Sequence, residues 1–430
     1  MSDALPPQAF LPARRAPLLY LGFAHACLLA ALVTLAARAQ DLGGFYYHPR
    51  LVAVVHLVTL GFVTSAILGA LYLVCPLALR TPLREGRADL AFAVSWMLGV
   101  SGIVSHFWLE SYSGMAWSGA LALATPLWLG ARVLAGLRRA PVPLESRLPM
   151  ALALVNLYLA AALGILLGIH KYHPLLPLAQ LDGVHAHVHL AGVGFVTLMI
   201  VGAGYRVLPM LLPAAMPRGR LAFASALALE SGALGLAFAF LAAKPLVLPF
   251  ALVILAGLAL FLSRVAFMLR HRRPAPSARP KPDWAALHAL ASIAALAVAA
   301  AAGLALALFE AAEATLRLVF VYGVFALLGF FAQLVIGVEA RLVPLAAWLQ
   351  EFAKGGYQEL PVPVHEAWPQ AAGAASFALW NAGVPALALG LALDWNAWTS
   401  AGAAALACAV LIVAVFGTRA LARLRTPPRL

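Results

Sequence analysis

His189–Pro209 reads HLAGVGFVTLMIVGAGYRVLP, and His56–Pro76 reads HLVTLGFVTSAILGALYLVCP. Twelve of the 21 aligned positions are identical. A third copy, Val324–Pro344 (VFALLGFFAQLVIGVEARLVP), keeps Gly329, Phe330, Gly337 and Pro344 in register, with Val324 in place of the leading histidine. The copies begin 133 and 135 residues apart. Self-similarity at a fixed period marks a repeat architecture, in which each unit buries its apolar faces against its neighbours. A histidine at one fixed depth in two of the copies suggests that the repeat holds something between its helices.

The surroundings of these copies set the class. Hydrophobic residues make up 64% of the chain and charged residues only 10%. A membrane-crossing helix needs about 20 apolar residues. Twelve stretches meet that length: roughly 17–38, 51–79, 88–109, 114–136, 148–170, 184–213, 219–241, 246–268, 285–308, 316–345, 371–393 and 397–420. Backbone polar groups in lipid are satisfied only in helices or closed barrels, and stretches this long and uniformly apolar are helices. The expected fold is an all-α polytopic membrane protein with twelve transmembrane helices in three pseudo-repeated four-helix arcs. It forms one integral membrane domain over 1–430, with repeats at approximately 17–136, 148–268 and 285–420. The patterned stretches are then spans 2, 6 and 10.

With a cytoplasmic N-terminus, only Arg38, Arg50, Lys171, Lys244 and Arg317 of the 29 Lys and Arg fall outside, so both termini are placed in the cytoplasm by the positive-inside rule. The net charge of +13 therefore reads as topology and not as nucleic-acid binding. The expected location is a bacterial-type cytoplasmic (inner) membrane. In this frame Tyr72, Tyr205, Arg206 and Arg341 are read as anchors at the inner interface. Residues 269–284 and 346–370 read as cytoplasmic connections, the second carrying Trp348, Glu351, Lys354, His365 and Glu366. Neither is large enough for a soluble domain. Cys27, Cys75 and Cys408 are far apart and form no CxxC pattern, so they read as packing residues.

Histidine is distributed unevenly. Eight of the twelve (His48, His56, His106, His170, His173, His185, His187 and His189) fall at the outer end under this topology. Imidazole is the commonest ligand for haem iron, copper and zinc, and ionisable groups at membrane depth are functional candidates by default. At 100° per residue, His185 and His189 lie about 40° apart on one helical face and His187 points the other way. One face then serves a site, and His187 serves a second site or a supporting hydrogen bond. The bland alternative is a set of interfacial histidines bonded to water or headgroups. His56, aligned with His189, reads as a ligand before a buried structural histidine. His48 and His173 each sit in a Tyr-His-Pro tripeptide and either cover a cofactor or do nothing. His106 and His170 are further metal-ligand candidates, whereas His25 reads as a packed polar residue. Glu230 is the one carboxylate near the middle of a predicted span, suited to a proton relay or to a helix–helix hydrogen bond. Glu339 reads as an interfacial polar contact.

Twelve helices in three arcs, with histidines near the outer ends of spans 2 and 6, resemble subunit I of the haem–copper oxidases. The run His187-Val188-His189-Leu190 through Pro209 is similar to the C-type oxidase branch and to the NnrS family of haem- and copper-containing proteins. The resemblance covers essentially the whole chain. It implies a haem ligand at His56, the copper position at His189, a b-type haem, and copper as a second cofactor. It also implies electron transfer or handling of nitric oxide or oxygen, with a periplasmic electron carrier, a quinol or a separate donor subunit as partner. Two departures stand against ordinary oxygen reduction: residues 316–345 contain no histidine, and neither do residues 219–241. The alternatives are a non-redox transporter or metal-handling protein binding Cu or Zn at the outer histidines, and a partner subunit or assembly factor that kept the fold without the centre.

Overall fold

In lipid an apolar chain longer than about 20 residues has one economical way to satisfy its amides, and the chain takes it repeatedly. A computed structural model describes residues 7–177, 179–216, 219–274, 280–309, 312–358 and 369–423. It contains twelve helices long and apolar enough to cross a membrane: α1 Arg15–Ala37, α2 Pro49–Leu77, α3 Arg87–Trp108, α4 Met115–Arg139, α5 Leu144–His170, α6 Gln180–Leu211, α7 Arg220–Ala242, α8 Lys244–Arg270, α9 Trp284–Leu308, α10 Glu313–Lys354, α11 Gln370–Ala392 and α12 Asn396–Arg419. Among the described residues there is no strand, only an isolated bridge between Ala214 and Arg272. The protein is a polytopic helical membrane protein. Large apolar side chains such as Leu98, Trp117 and Phe238 are exposed, as lipid-facing residues must be.

The main departure from the predicted spans is at α10. It continues to Lys354, ten residues beyond Pro344, which lies inside the helix as Pro76 and Pro209 do in α2 and α6. A proline inside a bundle is tolerated because neighbouring groups take over the freed backbone partners. Trp348, Glu351 and Lys354 are therefore helical, with Lys354 Nζ 2.7 Å from Glu351 Oε1 and Trp348 stacked on Phe352. His365 and Glu366 lie outside the described residues.

The helices fall into two compact units, one of residues 1–87, 275–302 and 316–430, the other of residues 88–274 and 303–315. In the first, α1 packs on α2 and α12, and α11 packs on α12. In the second, α5 packs on α4 and α6, and α7 packs on α6 and α8.

The two glycine positions of the repeat explain how each patterned helix meets the helix before it. A methyl group at Gly61, Gly194 or Gly329 would lie 2.6–2.8 Å from Cys27 Cβ, Asn156 Cγ or Ala295 Cβ. At the second position, a methyl at Gly69 would lie 3.0 Å from Tyr20 Cβ, one at Gly202 2.8 Å from Ser146 O, and one at Gly337 2.8 Å from Ala285 O. Lipid-embedded helices lack a hydrophobic drive towards one another and pack by such close approach of small residues. The buried Cys27 has a plain role here, filling the space over Gly61.

The two aligned tyrosines correct the reading as interfacial anchors. Tyr72 and Tyr205 are 1% and 0% exposed. Tyr72 stacks on Tyr20, and Tyr205 meets Phe261 edge-on, so both are core residues of their units. Arg341 is likewise engaged within the first unit, its Nη2 2.5 Å from Asp283 Oδ2. The other oxygen of Asp283 accepts the Ala286 amide at the start of α9. Asp283→Asn keeps a helix-capping side chain and leaves Arg341 without its counter-charge. With Arg341 one-quarter exposed, the expected loss is about 1–2 kcal/mol, below the value for a fully buried pair. Thermal unfolding in detergent measures it, and the Arg341→Met partner variant should recover part of the loss.

Candidate functional site

The patterned helices share a feature that their composition does not announce. Each contains an eight-residue π-helical segment, Leu57–Thr64 in α2, Leu190–Thr197 in α6 and Phe325–Ala332 in α10. These segments occupy the same register in all three copies, starting one residue after His56, His189 and Val324. At the far end, the amides of Ser65, Leu198 and Gln333 each bond back five residues, to Leu60, Val193 and Leu328. Side chains hold the wider turn: Thr64 Oγ1 donates to Thr59 O at 2.9 Å and Thr197 Oγ1 to Gly192 O at 2.9 Å. In the third copy Ala332 has no hydroxyl, and the indole of Trp380 donates to Leu328 O at 3.1 Å. Such π-turns inside α-helices are uncommon and recur at functional sites.

His56 and His189 are the last α-helical residues before these segments. His56 Nδ1 lies 2.8 Å from Val52 O, and His189 Nδ1 lies 2.7 Å from His185 O. A carbonyl oxygen only accepts, so Nδ1 carries the proton and Nε2 carries the lone pair in both rings. Half-buried imidazoles with that tautomer fit axial ligation of haem iron, in which one nitrogen coordinates and the other is oriented by a hydrogen bond.

The HxHxH run divides as its helical angles dictate. His185 and His189 both lie on Phe240 of α7, with ring centroids 5.2 and 5.4 Å away. His187 faces α5, where its Nδ1 donates to Ala160 O at 2.9 Å. Its ring presses on Gly164, where a methyl group would lie 2.8 Å from Cε1. Near the head of α6, Asp182 pairs with the exposed Lys244 at 3.0 Å.

The other candidates are dispersed. His170 Nδ1 accepts the amides of Leu175 and Leu176 at 2.9 and 3.1 Å, closing the turn after α5, so its Nδ1 lone pair is engaged. His106 Nδ1 lies 2.5 Å from Ser111 O and braces the loop between α3 and α4. His173 is exposed and rests edge-on against Tyr172. His48 precedes Pro49, which occupies the first turn of α2 as its fixed φ favours. Among the described residues, no three of His, Cys, Asp and Glu converge on a point that could hold a metal ion.

Glu230 accepts a hydrogen bond from Asn156 Nδ2 at 2.6 Å, joining α7 to α5 beside the Gly194 contact. Of the two readings of its sequence, the helix–helix bond is the one with a partner in place. A parallel link occurs in the other unit, where Gln333 Nε2 donates to Asn381 Oδ1 at 3.3 Å. One pair escaped the sequence reading: His25 Nε2 lies 3.4 Å from Glu339 Oε2, joining α1 to α10. The chain matches no family model and no curated protein.

Proposed function

We propose that the protein is a haem-binding integral membrane protein on a scaffold like subunit I of the haem–copper oxidases, acting in electron transfer or in handling nitric oxide or oxygen. The observation that carries this is the repeated imidazole: His56 and His189 at one register, each with Nδ1 tied to the carbonyl four residues back, each heading a π-helical segment. Val52 O and His185 O hold the Nδ1 protons and fix the ring planes. In this reading Nε2 of each ring would ligate the iron. A b-type haem bound there supplies one-electron chemistry. His185 supports His189 through its backbone and through the shared contact with Phe240.

The electron source in this reading is a periplasmic carrier, a quinol or a separate donor subunit, and the membrane is a bacterial cytoplasmic membrane with both termini inside. Copper is not carried into the proposal, because the three-ligand set is not assembled. Ordinary oxygen reduction is not carried either, since residues 316–345 and 219–241 have no histidine to ligate the haem–copper centre that the resemblance would require. The test is a reduced-minus-oxidised absorption spectrum of the purified protein from haem-replete cells, with iron quantified. A Soret band and a reduced α-band with bound iron are expected. A colourless, iron-free protein overturns the reading.

A further inference from the structure

His25 and Glu339 present an arithmetic of protons that can be solved from geometry. His25 lies in α1, with Nδ1 2.9 Å from Leu21 O. That carbonyl accepts only, so Nδ1 is protonated and Nε2 of a neutral ring is an acceptor. Nε2 faces Glu339 Oε2 at 3.4 Å, and an ionised carboxylate is also an acceptor only. Two lone pairs do not face each other in an apolar interior without a proton between them. One further proton therefore belongs to this pair, either on the carboxyl group or on the imidazole.

The surroundings make that proton exchangeable. Glu339 is 9% exposed; the 3.4 Å contact is not aligned as a hydrogen bond, so His25 Nε2 and Glu339 Oε1 are both without one. Buried polar groups are rarely left so, and an orphan acceptor beside a shared proton is a place for a proton to move. A shallow, open cleft lies at the end of the first unit that carries Arg14, Gln350 and Glu351, and Leu21 and Val343 are in its wall. Leu21 and Val343 are one helical turn from His25 and Glu339 on α1 and α10 respectively. The cleft thus reaches to within one turn of the pair on both helices that supply it.

We propose that His25 and Glu339 form a proton-binding pair that exchanges with water entering this cleft. Uptake forms one O–H or N–H bond at the facing atoms, release breaks it, and no electrons move. Other titratable groups on the elements packed here are Arg15, Tyr20 and Cys27 on α1 and Arg50, His56, Tyr72 and Cys75 on α2. Asp283 just before α9, His288 on α9, Glu313, Arg317, Tyr322, Arg341, Glu351 and Lys354 on α10, and the exposed Cys408 and Arg419 on α12 complete the set. Arg341 and Asp283 are paired with each other, and His288 is packed against Phe377 and Trp380. The inference does not rest on any bound haem.

The test is infrared difference spectroscopy of the full-length protein in detergent, titrated over roughly pH 4 to 10. A titrating carboxyl band is expected in the wild type, absent in Glu339→Gln and displaced in His25→Gln by about tenfold in proton affinity. Ala347→Trp, in the cleft wall but off the pair, should slow hydrogen–deuterium exchange of that band severalfold. Identical titrations in wild type and Glu339→Gln overturn the site. A band indifferent to His25→Gln overturns the pairing, and unchanged exchange in Ala347→Trp overturns the route. If Glu339→Gln does not elute as folded protein, His25→Gln and Ala347→Trp still decide the matter.

Discussion

His56→Ala and His189→Ala should each lose a large share of the Soret absorbance and of the bound iron, and the double variant should lose all of it. The reasoning is positional. Each ring is held by a carbonyl four residues back, at 2.8 and 2.7 Å, so in the proposed reading Nε2 would be the ligating atom of each. If His56 and His189 hold the iron, removing either imidazole would remove one of the protein's bonds to it. His187→Ala is the internal control, because its ring abuts Gly164 and its Nδ1 donates to Ala160 O on another helix. It should keep its iron and lose stability, since a cavity opens over Gly164 and Ala160 O loses its donor. Exogenous imidazole restoring the absorbance of His56→Ala or His189→Ala would separate ligand loss from misfolding. Equal iron content in wild type and both alanine variants sinks the assignment of these ligands.

How much of this was legible in the sequence depends on the range over which each signal acts. The twelve spans were legible because an apolar run longer than 20 residues has no alternative in lipid. The division of the HxHxH run was legible as well: three residues on one helix are related by a fixed angle, and Phe240 and Ala160 lie on the two sides that the angle demands. The far end of α10 was hidden, because Pro344 reads as a stop until neighbours supply the partners of the freed carbonyls. The π-segments were hidden too. Their hydrogen bonds shift by one residue without changing composition, and Val324 heads the third as the histidines head the first two. The π-turn is therefore a property of the repeat, and the histidine is an addition to it. The His25–Glu339 pair joins the first membrane helix to the tenth, and a contact between such distant residues leaves no local trace in either.

Gly202→Leu is expected to destabilise the protein by about 3 kcal/mol, the upper range for overfilling a packed interior. Its first added carbon would lie 2.8 Å from Ser146 O and 2.9 Å from Met150 N, both backbone atoms of α5. A side chain can rotate away from such a clash; backbone inside a helix cannot without separating the two helices. Separation would undo the contact at Gly194, and with it the position of Asn156 that serves Glu230. The same step of the repeat makes Gly337→Leu an equivalent in the other unit, where Ala285 O lies 2.8 Å from the added carbon. Gly69→Leu should be milder, since its nearest neighbour is Tyr20 Cβ at 3.0 Å and the nearest backbone atom is Pro17 O at 3.4 Å. Gly22→Leu and Gly323→Leu add the same atoms where nothing lies within 4 Å, and should leave the unfolding temperature where it is. The ordering follows from what each added carbon would meet, backbone, side chain or open space, at glycines that are otherwise alike. Thermal unfolding of the five variants in one detergent tests that ordering, and a Gly202→Leu protein as stable as Gly22→Leu would show that α5 and α6 do not meet at this step.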